Sequence, residues 1–350
     1  MPEARDESRY GRGTDDGLAP LTPLDPAATD SVDALVRAMS QTAFGGRCLG
    51  EAADVLEAMV RDSDCYRVLT VSGAMTVAKQ GLVMCEMIER GWVQAVVATG
   101  ALMTHGLSEG TGKLHFKHDP SMRDEDLYDK GYNRVYDTIE LEKNLDDVER
   151  LLQQSLEDVP RDVVLSSRLI CERLGLQLKK MGAERAILLS ALEHKVPVFV
   201  PAFTDSELGL DLAIHNHLRA QKGAHTFSFD PFRDLDDFAE GIRQHDTLGI
   251  FTIGGGVPRN WAQQVGPYLE ILRSRLGSHE PVRRYKYAVR ICPEPVHWGG
   301  LSGCTYSEGI SWGKFVPPEE GGRFAEVFAD ATIAWPLVVR AVIERLDRDA

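Results

Sequence analysis

Short apolar runs, each closed by a small or polar turn and then a helix-period segment, recur along most of this chain. The runs are 68–71, 93–98, 196–201, 248–253, 287–291 and 326–329. The turns that follow are Ser72-Gly73-Ala74, Thr99-Gly100-Ala101, Thr204-Asp205, Gly254-Gly255-Gly256, the Pro- and Gly-rich stretch 293–303, and Asp330-Ala331-Thr332. Buried strand, turn and helix, repeated about six times, predict parallel βα units. The expected fold class is therefore α/β, a doubly wound, mainly parallel sheet with added helices. Ligands of such open sheets bind beyond the carboxyl ends of the strands, where these turns gather.

Elsewhere the spacing is helical. Val32, Leu35, Val36 and Met39, followed by Leu49, Ala52, Val55, Leu56 and Met59, predict helices across 31–61. Leu141, Leu145, Val148, Leu151 and Leu152, then Leu165, Leu169, Ile170 and Leu174, predict two or three more within 135–195. Residues 106–134 are polar and punctuated by Gly and Pro, and read as a long loop of the functional or interface-forming kind. Residues 1–30 offer almost nothing to bury and read as a mobile tail, leaving 31–350 as a single domain.

Composition narrows the partners. The 350 residues are 43% hydrophobic and 26% charged, as in an ordinary soluble globular protein. A formal charge of −14 argues against nucleic-acid and anionic-membrane partners, since no basic stripe exists to neutralise phosphates. It suits a small cationic molecule. Cys48, Cys65, Cys85, Cys171, Cys292 and Cys304 show no CxxC spacing and read as scattered, reduced thiols. No apolar signal core opens the chain, and nowhere do about 18 apolar residues run without a charge. The expectation is a soluble, cytoplasmic protein.

Candidate chemistry concentrates late in the chain. In Glu308-Gly-Ile-Ser-Trp-Gly-Lys314 a lysine stands beside Trp312 and two small residues, with a carboxylate six positions earlier. An indole wall would desolvate the ammonium and lower its pKa, as an amine nucleophile requires; a surface lysine beside a core tryptophan is the alternative. Gly254-Gly255-Gly256 follows a strand and opens a helix with Pro258 in its first turn, so its backbone N–H groups could meet a phosphate, or form only a tight turn. Asp205 and Asp330 each follow a strand and read as helix N-caps or as ribose-binding acids. His105, His115 and His118 look metal-like, but they fall in the polar loop with no carboxylate or cysteine to complete a set, so no metal is expected. GxSxG, Walker A and HExxH motifs are absent.

Taken in order, 198–209 (VFVPAFTDSELG), Gly254-Gly-Gly-Val-Pro258, 299–303, Glu308-x-x-Ser-Trp-Gly-Lys314 and Phe328-Ala-Asp-Ala-Thr332 resemble the deoxyhypusine synthase family across roughly 35–345. The resemblance implies a Rossmann-like sheet that binds NAD, and a homotetramer with active sites at subunit interfaces. It implies that spermidine is oxidised to an imine, that its aminobutyl group passes to a lysine matching Lys314, and that an acceptor amine then takes it. Trp312 and Glu308 match the donor-contacting pair. Thr99, Gly100, Asp205, Gly254, Gly255, Gly256, Asp330 and Ala331 match the NAD-lining positions.

The substrate side departs from the family pattern. Asn260 stands for a histidine, with Gln264 at a nearby amide position; Leu210 stands for an aspartate, with Asp211 one place later; Leu301 stands for another acid near Gly299. A Ser-Asn pair is replaced near Gly73-Ala74. This pattern resembles the bacterial deoxyhypusine-synthase-like branch of homospermidine-synthase type, which implies a small acceptor amine such as putrescine. The alternatives are the same hydride and imine chemistry on a different amine, or an inactive NAD-binding scaffold.

Overall fold

The computed structural model describes residues 5–348; residues 1–4 of the expected tail, and 349–350, lie outside the described residues. Residues 5–30 are almost wholly exposed and form three single 3-10 turns. The elements that follow are α1 (Val32–Ser40), α2 (Phe44–Arg61), β1 (Cys65–Val71), α3 (Gly81–Glu89), β2 (Ala95–Ala98), α4 (Gly100–Gly110), β3 (Phe116–Lys117), α5 (Asp124–Asp129), β4 (Tyr132–Val135), β5 (Thr138–Leu141) and α6 (Glu142–Leu156). Then come α7 (Ser167–Met181), α8 (Ile187–Glu193), β6 (Val198–Phe199), α9 (Glu207–Gln221), α10 (Phe232–Arg243), β7 (Thr247–Ile253), α11 (Gly256–Gln263), α12 (Val265–Leu276), β8 (Tyr285–Ile291), α13 (Tyr306–Ile310), β9 (Arg323–Val327) and α14 (Ala331–Arg348).

Six strands form one sheet in the order β6-β2-β1-β7-β8-β9, and every pairing is parallel. Counted in chain order among themselves, they run 3-2-1-4-5-6 across the sheet, the order of dinucleotide-binding sheets. β1 and β7 meet at the centre, where the winding reverses. Within 68–71 and 248–253 the only polar side chains are Thr70 and Thr252, whose buried hydroxyls satisfy each other at 2.9 Å.

Successive strand residues alternate between two cores. Leu69, Val71, Val96 and Ile253 face Leu56 of α2, Leu174 of α7 and Trp335 of α14. Val68, Val97 and Ile250 face Phe238 of α10, Ala262 of α11 and Leu269 of α12. Helices on both faces explain why the strands read as continuous apolar runs. Ser31, Thr99, Ser166, Ser206 and Thr305 cap α1, α4, α7, α9 and α13 by accepting first-turn N–H bonds.

The expected loop 106–134 is corrected by the structure. α4 extends to Gly110, and β3, β5 and β4 form a three-stranded antiparallel sheet with α5 beside it. Its strands are too short to show a period, and the burial of Leu127 and Ile139 anchors them. At the far side α1, α2 and α14 are joined through Arg345, a buried guanidinium that bonds Asp33 at 2.5 Å, Asp54 at 2.7 Å and Glu57 at 3.0 Å. Among the described residues no helix is long and apolar enough to cross a membrane.

Candidate active site

The carboxyl ends of β1 and β7 are tied together by the glycine turn. Gly254 N–H donates to the Ile291 carbonyl at 2.8 Å, Gly255 N–H to Ser72 Oγ at 2.9 Å, and Gly256 N–H to Ser302 Oγ at 3.0 Å. The sequence left these donors free to meet a phosphate or to form only a tight turn; two of them hold serine hydroxyls, which an anion would have to displace. Gly254 and Gly256 sit at φ 76° and 58°, where side chains are strained. Gly255 is extended, and its requirement is proximity: a Cβ there would lie 2.6 Å from Ser302 Cα. A Cβ on Gly256 would meet nothing within 4 Å, so the space at the start of α11 is open.

Lys314 reaches this region from the other edge of the sheet. Its N–H donates to the Gly309 carbonyl at 3.1 Å and its carbonyl accepts from Tyr285 N–H at 2.9 Å, which fixes its backbone at the start of β8. Its Nζ donates to Asn260 Oδ1 at 3.3 Å. Asn260 lies on α11, four residues beyond Gly256 and thus about 6 Å along the helix axis. Lys314 is only 8% exposed. Burial lowers its pKa from the ordinary lysine value, Cys304 and Glu308 draw it back up, and Arg259 presses it down. A lysine held by a neutral amide, with no carboxylate ion pair among the described residues, gives up its proton more readily than a paired one.

Trp312 departs from expectation. Its ring centroid lies 5.8 Å from Lys314 Nζ, but the indole is 64% exposed, so it is not by itself the wall that strips water from the amine. Glu308, also exposed, starts α13 by donating its N–H to Thr305 Oγ1 at 3.1 Å and acts electrostatically on both Cys304 and Lys314.

The acids divide by role. Asp205 is exposed and does not cap α9, because Ser206 does; its carboxylate makes no hydrogen bond among the described residues and is available to a ligand at the carboxyl edge. Asp330 behaves as a cap, accepting from Thr332 N–H at 2.7 Å. Ala331 is buried behind it. Thr99 caps α4, and Gly100 packs so closely on Ser206 that a Cβ would strike its Oγ. Asp211 does not replace the acid missing at Leu210. Leu210 is 53% exposed whereas Asp211 is buried one position on, with Oδ2 unpartnered and its carboxyl pushed up to about 7 by burial and by Glu207, Glu149 and Asp146. Leu301 is exposed, Gly299 turns the chain at φ 72°, and Gln264 is exposed at the α11–α12 junction, where the structure gives it no contact with Lys314.

Several neighbours were not singled out from sequence. Arg259 and Arg290 are buried and grip the same segment: Arg259 donates to the Ser302 and Cys304 carbonyls at 3.3 and 2.6 Å, Arg290 to the same two at 2.6 and 2.8 Å. An arginine near the end of the apolar run 285–291 was the available signal. Cavities of about 500 Å³ (beside Leu82, Gly106 and Arg185) and about 540 Å³ (beside Tyr66, Cys171 and Phe199) include neither Lys314 nor the glycine turn.

The histidine reading is also corrected. His105 lies on α4 rather than in a loop, and Glu140 of β5 supplies the carboxylate that the sequence did not reveal. His105 Nδ1 and His115 Nε2 lie 3.1 and 2.5 Å from Glu140 Oε2. His118 is not in the group.

The deoxyhypusine synthase family model matches residues 34–342. A Methanosarcina acetivorans protein named "Probable deoxyhypusine synthase 2" is 33% identical over 327 residues, covering 93% of this chain and 90% of its own. A "Deoxyhypusine synthase-like protein" of Chlorobaculum parvum is 32% identical over 309 residues, covering 87% and 84%. A deoxyhypusine synthase candidate of known structure from Entamoeba histolytica shares the fold, with a TM-score of 0.60 at 14% identity over 93% of this chain and 97% of its own. With the family model spanning both sheet edges and relatives a third identical along nearly the whole length, this chain belongs to the deoxyhypusine synthase family.

Proposed function

We propose that the protein is an NAD-dependent aminoalkyl transferase that takes an aminobutyl group from a polyamine such as spermidine and carries it on Lys314. The observation that supports this most is the buried Lys314 amine, lowered in pKa and held by Asn260, which lies on the helix that begins at the glycine turn. NAD would lie along the carboxyl edge: its phosphates would displace the Ser72 and Ser302 hydroxyls from the 254–256 turn and use the open space at Gly256, and the unengaged Asp205 would hold a ribose, with Thr99, Gly100, Asp330 and Ala331 around them. Bound there, NAD would supply the two-electron acceptor for oxidation at the carbon beside the donor's secondary nitrogen and, once reduced, the donor for the final reduction.

Lys314 does the rest. Once the donor is an imine, the neutral Nζ adds to its carbon, the amine leaving group departs with a proton, and an imine to Lys314 remains. The acceptor amine adds to that imine carbon, Nζ leaves, and the product imine is reduced. Trp312 would cover the alkyl chain and Glu308 would hold an ammonium. The acceptor we propose is a small amine such as putrescine, giving a homospermidine-type product, because Leu210 and Leu301 present apolar surface where acids were expected. The same exposed leucines favour a second reading, the same chemistry on a less charged amine. The proposed assembly is a homotetramer with sites at subunit interfaces.

Borohydride reduction during turnover with NAD and spermidine should leave an aminobutyl adduct on the peptide containing Lys314, read by mass spectrometry. Lys314→Arg, which stays protonated, should lose the adduct and slow transfer by orders of magnitude while still binding NAD. Near wild-type transfer by that variant would refute the covalent route. Product analysis with putrescine and other amines separates the two substrate readings.

A further inference from the structure

Outside the proposed reaction centre, His105, His115 and Glu140 bring three ligand atoms to within 4.8 Å of one another. They come from three places: α4, the residue before β3, and β5. His115 and Glu140 are 1% and 0% exposed at the side chain, and His105 is 19%. We propose that these residues form a binding site for a divalent transition ion of the zinc class, which clips α4 to the small antiparallel sheet.

The geometry of His115 carries the argument. Its Nε2 is buried and makes no directional hydrogen bond, although it lies 2.5 Å from Glu140 Oε2. In a tetrahedral site with bonds of about 2.0–2.1 Å, ligand atoms stand about 3.4 Å apart. The His105–Glu140 separation of 3.1 Å is close to that, and the His115 pair opens by about 0.9 Å to reach it. Glu140 is steadied from behind, as metal-bound carboxylates are: Asn144 Nδ2 donates to its Oε1 at 2.6 Å and reaches the Leu114 carbonyl at 3.3 Å.

Two imidazoles and one carboxylate are the protein ligands of three-ligand zinc sites, with the fourth position left for water. Burial on the His115 and Glu140 sides disfavours the several open positions that iron oxygenases keep. Lys79 is the competitor. Its Nζ stands 2.6 Å from His115 Nδ1, and the ammonium donates there. A ring ligated through Nε2 carries its proton on Nδ1, so ion binding turns Lys79 away. Glu109 Oε1, 3.4 Å from Nζ, is there to receive it.

The test uses tag-free, chelator-stripped full-length protein. Zn²⁺ is titrated against a chromophoric chelator, and Co²⁺ is followed by its visible absorption. One equivalent per chain, the strong Co²⁺ bands of four-coordinate geometry, and a Tm raised by about 2–5 °C are expected. His105→Ala and Glu140→Gln should weaken binding at least about 100-fold, and Asn144→Ala about 10–100-fold. Lys79→Met should tighten it. If removing a ligand prevents folding, Asn144→Ala and Lys79→Met decide the matter. Less than one equivalent in the wild type, or affinities that these changes leave unaltered, would overturn the site.

Discussion

Within a few ångströms of Lys314 Nζ, the Asn260 amide oxygen takes the place a charged partner would occupy. In the proposed reaction only the neutral amine adds to an imine, so the rate should rise as pH passes upward through the Lys314 pKa. That pKa is already lowered by burial. Asn260→Asp would put a carboxylate at the same place, stabilise the ammonium and raise the pKa. The acid limb of the pH–rate profile should move upward with it, with slower transfer at neutral pH and little change well above the limb. An unmoved limb would mean that another group sets it. Sequence made Lys314, Trp312 and Glu308 legible because they are close in one segment. Asn260 was legible as a departure, but its bond to Lys314 spans 54 positions and no periodicity reports such a pairing. Glu140 was invisible for the same reason, and the burial of Asp211 beside exposed Leu210 was not legible because one step along a helix turns a side chain from surface to core.

Elements were easier to read than contacts. The six main strands announced themselves because burial on both faces leaves their centres largely apolar, although β8 carries Lys286 and Arg290 and β9 carries Arg323 and Glu326, whereas β3, β4 and β5 are short and partly exposed. At the glycine turn the structure separates two neighbours. Gly255→Ala should drive Cβ into the Ser302 backbone, loosen the segment held by Arg259 and Arg290, and lower both Tm and NAD affinity. Gly256→Ala has room and should cost only about 1–2 kcal/mol of left-handed strain. Equal losses in thermal melts would show that proximity to Ser302 is not the constraint. Across the molecule, Arg345→Met should destabilise by about 3–5 kcal/mol in urea unfolding, since Asp33 would stay buried without its main partner. A change below about 1 kcal/mol would show that water or Arg348 replaces it.

The whole molecule leaves much apolar surface uncovered near its proposed chemistry. Leu210, Ile214 and Leu218 line one side of α9, and Val257, Trp298, Leu301, Trp312 and Ile333 are exposed as well. In the proposed tetramer these would be covered, and light scattering should give a mass near four times 38.7 kDa. A fully active monomer would refute interface sites. The clasp between Asp33 and Arg345 also bears on how the protein is made. These two residues stand 312 positions apart, and the central hydrogen bond between Thr70 and Thr252 spans 182. At roughly 5–20 residues per second, roughly 15–60 s of synthesis separate Asp33 from the arginine it needs. During that interval the first two helices have neither their clasp nor the far half of the sheet to pack on. In the nascent chain α2's apolar face therefore lacks β8, β9 and α14, on which it finally packs, and the fold closes only when the last helix arrives.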